Sequence, residues 1–97
     1  MNSTKDYYPI PFENQMYYLK NEQVVVLLKI SQYCGSNIQL IIYTKNSGVI
    51  IGTVKEFQGY NPLMPADVYI PIVFKIETND NIKEINFLEV ESIEIKN

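Results

Sequence analysis

From Ile38 onward, apolar residues recur at every second position, and short polar breakers interrupt the pattern. A repeat of two places successive side chains on opposite faces of a strand, so the pattern predicts β-structure. We predict strands at 38–44, 49–57, 68–77, 82–87 and 92–95, with turns at 45–48 and 79–81. The segment "LEVE" before the last strand is too short for a wide hairpin, so we expect a 3₁₀-like turn there.

The first eleven residues are expected to form an arm. Pro9 and Pro11 in "YYPIP" disfavour regular structure across that point. We expect the arm to be flexible unless Tyr7, Tyr8 and Ile10 dock on another part of the molecule.

Residues 12–35 are predicted to be a mainly helical segment. Asn21 can cap a helix that runs to Cys34, and Gly35 can supply the left-handed stop. One face of this helix would carry Val24, Leu27, Leu28, Ser31 and Cys34. The run of three valines is β-branched and also suits a strand, so helix and strand both stay open for 22–34.

The length of 97 residues predicts a single domain, with the arm at 1–11, the helical segment at 12–35 and a β-barrel at 38–96. A domain of this size buries only roughly 60–65% of its unfolded surface. Self-association would therefore add to its stability.

Three residue types are missing from the sequence: arginine, histidine and tryptophan. Without histidine, the chain has no ordinary general base at neutral pH and no imidazole ligand, so we expect neither an enzyme nor a metal or other cofactor. Without arginine, and with a net charge of −3, binding to nucleic acid is disfavoured. The single cysteine, Cys34, has no base to activate it and cannot form an internal disulfide.

No apolar run approaches the ~20 residues that a membrane-spanning helix needs. We therefore expect a soluble, cytoplasmic protein without a membrane partner.

The stretch "SGVIIGTVKEF" combines a turn glycine, Gly48, with a second glycine inside the strand, Gly52, followed by Val54 and Phe57. This pattern, with a preceding helix and a tight turn before the last strand, resembles the Sm-like family over residues 21–96. The resemblance implies a mainly β fold: a small, five-stranded, strongly bent antiparallel barrel of the Sm-like or Src-homology-3 type, with an N-terminal helix. It also implies rings in which the fourth strand of one copy pairs with the fifth strand of the next.

The residues through which members of that family bind RNA are not retained. Gln58 stands where an aspartate is usual, Asn61 is displaced, and the final turn "FLEVES" is acidic and lacks arginine. The resemblance therefore concerns the fold.

Two tyrosine doublets and one loop are the candidate binding residues. Tyrosine combines an apolar ring with a polar tip, which suits interfaces, although the same rings could simply cover a small core. The loop 58–67 holds large apolar residues between prolines, and these could close the end of the barrel or contact a partner. The candidates are Tyr7, Tyr8, Tyr17, Tyr18, Tyr60, Asn61, Leu63 and Met64.

The first hypothesis for function is a non-catalytic binding and assembly module that forms homo-oligomers through its strand edges. It would contact a protein or small ligand through the tyrosine-rich arm and the 58–67 loop. The second hypothesis is a nucleic-acid-binding protein that uses Lys45 and Lys55 for phosphates. A third is a small inhibitor from a mobile element, whose acidic C-terminal segment binds a protein partner with a basic surface.

Overall fold

A β-hairpin, one helix and five further strands follow one another along the chain. The structure, a computed structural model, describes residues 7–61 and 68–97. The hairpin strands are β1 (Tyr7–Phe12) and β2 (Gln15–Lys20), and the helix is α1 (Asn21–Gln32). The remaining strands are β3 (Leu40–Thr44), β4 (Val49–Tyr60), β5 (Ile70–Glu77), β6 (Ile82–Asn86) and β7 (Val90–Ile95), with a 3₁₀ helix at Phe87–Glu89.

The hairpin corrects the prediction of an irregular arm followed by helix from residue 12. Glu13 and Asn14 both adopt positive φ, of 50° and 66°, as a two-residue type I′ turn requires. This turn makes Phe12 and Gln15 the first hydrogen-bonded pair of the ladder, so every second residue of β1 directs its backbone away from β2. Pro9 and Pro11 occupy such positions, where the missing N–H groups cost no hydrogen bond within the hairpin.

Helix α1 is shorter than the segment predicted to be helical, but it confirms helix over strand. It begins after Lys20, whose backbone N–H donates a hydrogen bond of 2.8 Å to Oε1 of Gln23. The helix ends at Gln32 and not at the predicted Cys34. Gly35 has the predicted positive φ, of 81°, but its N–H donates to the carbonyl oxygen of Val54 in β4 and not to the helix. The buried face contains Val24, Leu27 and Ile30, so the predicted face, which omitted Ile30, was only partly right.

The five later strands form one antiparallel sheet in the order β6-β5-β4-β3-β7. Four residues, 45–48, join β3 to β4, and four residues, 78–81, join β5 to β6. In the second turn the N–H of Thr78 donates to the carbonyl oxygen of Asn81 at 2.8 Å. The 3₁₀ helix between β6 and β7 confirms the predicted turn. In the described residues β6 and β7 do not pair with each other, so the sheet has two open edges and barrel closure stays a prediction.

Strand β4 changes its neighbour at Gly52. Residues 49–52 pair with β3, and Thr53 onward pairs with β5. A Cβ added at Gly52 would collide with the carbonyl oxygen of Glu77 and lie 2.8 Å from Cγ2 of Ile76. Close approach between backbones therefore explains this glycine.

One cluster of buried side chains connects the hairpin, the helix and the sheet. Its fully buried members are Ile10, Val24, Ile30, Leu40, Ile42, Val54, Ile70, Phe74 and Ile76. Since Ile10 belongs to β1, the hairpin is packed on the core through one of its faces.

Candidate functional site

The two tyrosine doublets lie on opposite strands of the hairpin, and alternation divides each doublet between its two faces. Tyr8 and Tyr17 face the core and are half-buried, whereas Tyr7 and Tyr18 point away and are 52% and 64% exposed. The outward side chains form a surface that we call the outer hairpin face. It consists of Tyr7, Pro9, Pro11, Met16, Tyr18 and Lys20.

Aromatic contacts hold the tip of the hairpin on the 3₁₀ helix. The ring of Phe87 packs edge-to-face against Phe12 at 5.3 Å and against Tyr17 at 5.7 Å between centroids. The hydroxyl of Tyr17 donates a hydrogen bond to Oε1 of Gln15. Tyr8 and Tyr17, both predicted as binding residues, therefore lie on the structural side of the hairpin, and Tyr7 and Tyr18 on its accessible side.

The other predicted binding residues lie at the far end of β4. Tyr60 is partly exposed and is the last residue of the strand, and Asn61 follows it half-buried. Leu63 and Met64 lie outside the described residues. Tyr69, on the returning chain, is 50% exposed, and its Cβ lies 2.7 Å from the position of a Cβ added at Gly59. A role of this loop in binding stays a prediction.

The two lysines predicted to contact nucleic acid differ in their surroundings. The ammonium group of Lys55 lies 3.4 Å from a carboxylate oxygen of Glu77, so a neighbouring negative charge offsets its positive charge. Lys45 is exposed, and its backbone N–H donates to the carbonyl oxygen of Glu89. Lys75 pairs with Glu56 at 3.1 Å, and the hydrogen bond from this pair raises the pKa of Lys75.

The edges of the sheet, through which the first hypothesis expects copies to associate, are formed by β6 and β7. Within residues 7–61 and 68–97, β6 pairs only with β5, and β7 pairs only with β3. Neither strand contains proline, whereas the free side of β1 has lost two N–H donors to Pro9 and Pro11. The backbone of β6 and β7 can therefore accept another strand, and that of β1 is protected against it.

A cleft of about 330 Å³ lies beside the open edge of β7. The C-terminal part of α1 forms one wall, with Tyr33 next to it, and Ile93 and Ile95 form the floor. Ile95 is 45% exposed although its side chain is on the same face as buried Leu40. An added strand would therefore find apolar surface next to the free backbone groups.

The remaining groups considered are the Cys34 thiol and the acidic side chains. Partial burial, and secondarily the negative charge of Glu56, raise the pKa of the Cys34 thiol, which disfavours its reactive thiolate form. Across residues 7–61 and 68–97, no group of three or more histidine, cysteine or acidic side chains is placed to hold a metal ion. In the same ranges, no helix is long and apolar enough to cross a membrane.

Comparison with protein-family models, curated proteins and solved structures finds no match to this chain.

Proposed function

We propose that the protein is a non-catalytic binding and assembly module whose copies associate by pairing β6 of one copy with β7 of the next. The observation that carries this proposal is the presence of two open, proline-free edges at opposite ends of one sheet. Each edge offers unpaired backbone N–H and C=O groups, and strand pairing satisfies both sets at once. Because the two edges differ, the contact is heterologous and leads to a closed ring or a filament.

The Sm-like relationship and the bent barrel belong to the same proposal. They are supported by the order of a helix, five strands and a 3₁₀ turn before the last strand. Gly52, at the point where β4 changes partner, is a further supporting feature.

Lys83 limits which strands can pair with the open edge of β6. Lys83 of β6 lies opposite buried Ile76, so its side chain is on the core side of an edge strand. A charge at that position disfavours addition of an apolar strand and favours a strand that brings carboxylates. Strand β7 carries Glu91 at its register shift with β3, and Glu94 on the face opposite Ile93 and Ile95, where its carboxylate accepts a hydrogen bond from the hydroxyl of Tyr43.

A proline in β7 tests the pairing directly. The N–H of Lys96 donates to the carbonyl oxygen of Gln39, so by alternation Ile95 directs its own N–H to the open edge. Ile95→Pro therefore removes a donor from the open edge and leaves the ladder between β3 and β7 intact. Ile95→Ala is the matched control, since it also shortens the side chain but keeps the N–H.

We expect Ile95→Pro to shift the protein towards monomer in size-exclusion chromatography with light scattering, and Ile95→Ala to remain associated. Circular dichroism checks that both variants are folded. Equal masses for the two variants and the wild type would show that the backbone edge of β7 takes no part in assembly.

A further inference from the structure

The outer hairpin face differs from the rest of this acidic chain in the side chains that it carries. Five of its six positions are tyrosine, proline or methionine, and the sixth is Lys20. It carries no carboxylate, although the whole chain has 11 acidic residues and a net charge of −3. The face therefore combines exposed aromatic rings with a single positive charge.

The tyrosine hydroxyls on this face have no side-chain acceptor among the described residues. Elsewhere, the hydroxyl of Tyr43 donates to Glu94 at 3.0 Å and that of Tyr17 donates to Gln15. Tyr7 and Tyr18 make no such bond within residues 7–61 and 68–97, and both are more than half exposed. Two hydroxyl donors and one ammonium group are thus directed to the solvent beside two ring faces.

Three kinds of occupant fit this chemistry poorly. A β-strand cannot extend the sheet at β1, because Pro9 and Pro11 have no N–H groups to donate. A nucleic acid would meet one lysine and an acidic molecule, which is too little charge to neutralise its phosphates. A second copy of the same face would bring no carboxylate to Lys20.

A proline-rich segment in the polyproline II conformation fits the same chemistry well. Its rings pack on exposed tyrosines, and its carbonyl oxygens accept hydrogen bonds from tyrosine hydroxyls. Six strand residues at about 3.3 Å each span roughly 20 Å, which about six residues of polyproline II cover at about 3.1 Å each. An acidic residue at one end would pair with Lys20.

We propose that the outer hairpin face binds a proline-rich protein segment with an acidic residue near one end. This inference rests on the proposed role as a binding module and names the class of its partner. The bound segment is recognised through side chains and carbonyl groups, without strand pairing.

Fluorescence anisotropy with the full chain tests this inference. The probe is a labelled oligoproline of about ten residues ending in aspartate, and the reference probe replaces its prolines by glycine and serine. We expect saturable binding of the oligoproline alone. Tyr18→Ala should weaken that binding by about tenfold or more, and Tyr18→Phe, which loses only the hydroxyl, by less.

Tyr69→Ala is the matched control, because Tyr69 is 50% exposed but lies outside the hairpin. It should bind the oligoproline like the wild type. Equal affinity for both probes, equal loss with Tyr69→Ala, or binding of labelled oligouridine that Tyr18→Ala abolishes would each overturn the inference.

Light scattering on the same samples separates this inference from assembly. If the protein associates but does not bind oligoproline, this inference is wrong and the proposed assembly is unaffected. A monomer that binds oligoproline through Tyr18 contradicts the proposed assembly and supports the inference.

Discussion

Gly52 shows how a single position can depend on the absence of a side chain. An added Cβ would collide with the backbone of Glu77, which cannot move without disturbing the pairing of β4 and β5. Gly48 differs, since a Cβ there meets nothing within 4 Å and only its φ of 73° restricts the residue type. The two glycines of the "SGVIIG" stretch thus have different physical causes.

We predict that Gly52→Ala lowers the free energy of unfolding by about 1–3 kcal/mol through overpacking. Gly48→Ala should cost about 1 kcal/mol through its left-handed backbone. Asparagine tolerates that conformation, so Gly48→Asn should recover part of the loss, whereas Gly52→Asn should be at least as damaging as Gly52→Ala. Urea denaturation of the four variants measures these differences, and a stable Gly52→Asn would contradict the steric account.

The thiol of Cys34 belongs to a second single residue whose behaviour can be tested, because its ionisation depends on pH. Its pKa is raised by partial burial first and by Glu56 second. The stability that this group contributes is therefore present below the pKa of the unfolded chain and is lost as pH rises through the higher folded value.

We predict that alkylation of Cys34 by iodoacetamide begins at higher pH in the folded protein than in urea. Glu56→Gln should move the folded profile slightly towards lower pH, because it removes only the smaller cause. Since the chain has one cysteine, mass spectrometry reports this site without ambiguity. An unshifted profile would show that the thiol is effectively solvent-exposed.

A small set of inward side chains attaches the hairpin to the rest of the molecule. Its tip contacts the 3₁₀ helix through Phe12, Tyr17 and Phe87. Ile10 and Leu19 are buried in the main core, and Tyr8 packs against it.

We predict that Phe12→Ala lowers the free energy of unfolding by about 1–3 kcal/mol, less than a fully buried phenylalanine, because Phe12 is half-buried. Hydrogen exchange should increase first in β1 and β2 and least in β4 and β5. Tyr17→Phe is the control, since it keeps the ring and loses only the bond to Gln15. Uniform acceleration across all strands would indicate that the hairpin does not open separately.

The hairpin is the part of the fold that could not be predicted from the sequence. The later strands could be predicted because apolar residues alternate along them, and the helix because Val24 and Leu27 are spaced to share one helical face. Pro9 and Pro11 concealed β1, yet their spacing of two places both on one side of a strand. Tyr8, Ile10 and Phe12 alternate with these prolines, and this was the available signal for the hairpin.

The candidate surfaces were only partly predictable for a similar reason. Alternation required one tyrosine of each doublet to be outward, and the structure identifies Tyr7 and Tyr18. The direction of the free N–H of Ile95 depends on the register between β3 and β7, which no local pattern encodes. Long-range pairing therefore decided which edges are open.

In the molecule as a whole, the proposed assembly uses the sheet β6-β5-β4-β3-β7 and the two edges that are open among the described residues. The hairpin is a separate two-stranded sheet whose free side is protected by prolines. Assembly and partner binding are thus assigned to different sheets of one small chain.

The most direct test is the molar mass of the wild-type protein, measured by light scattering up to tens of micromolar. We predict a mass that is two or more times the 11.3 kDa of one chain. A mass of 11.3 kDa throughout the concentration range would contradict it.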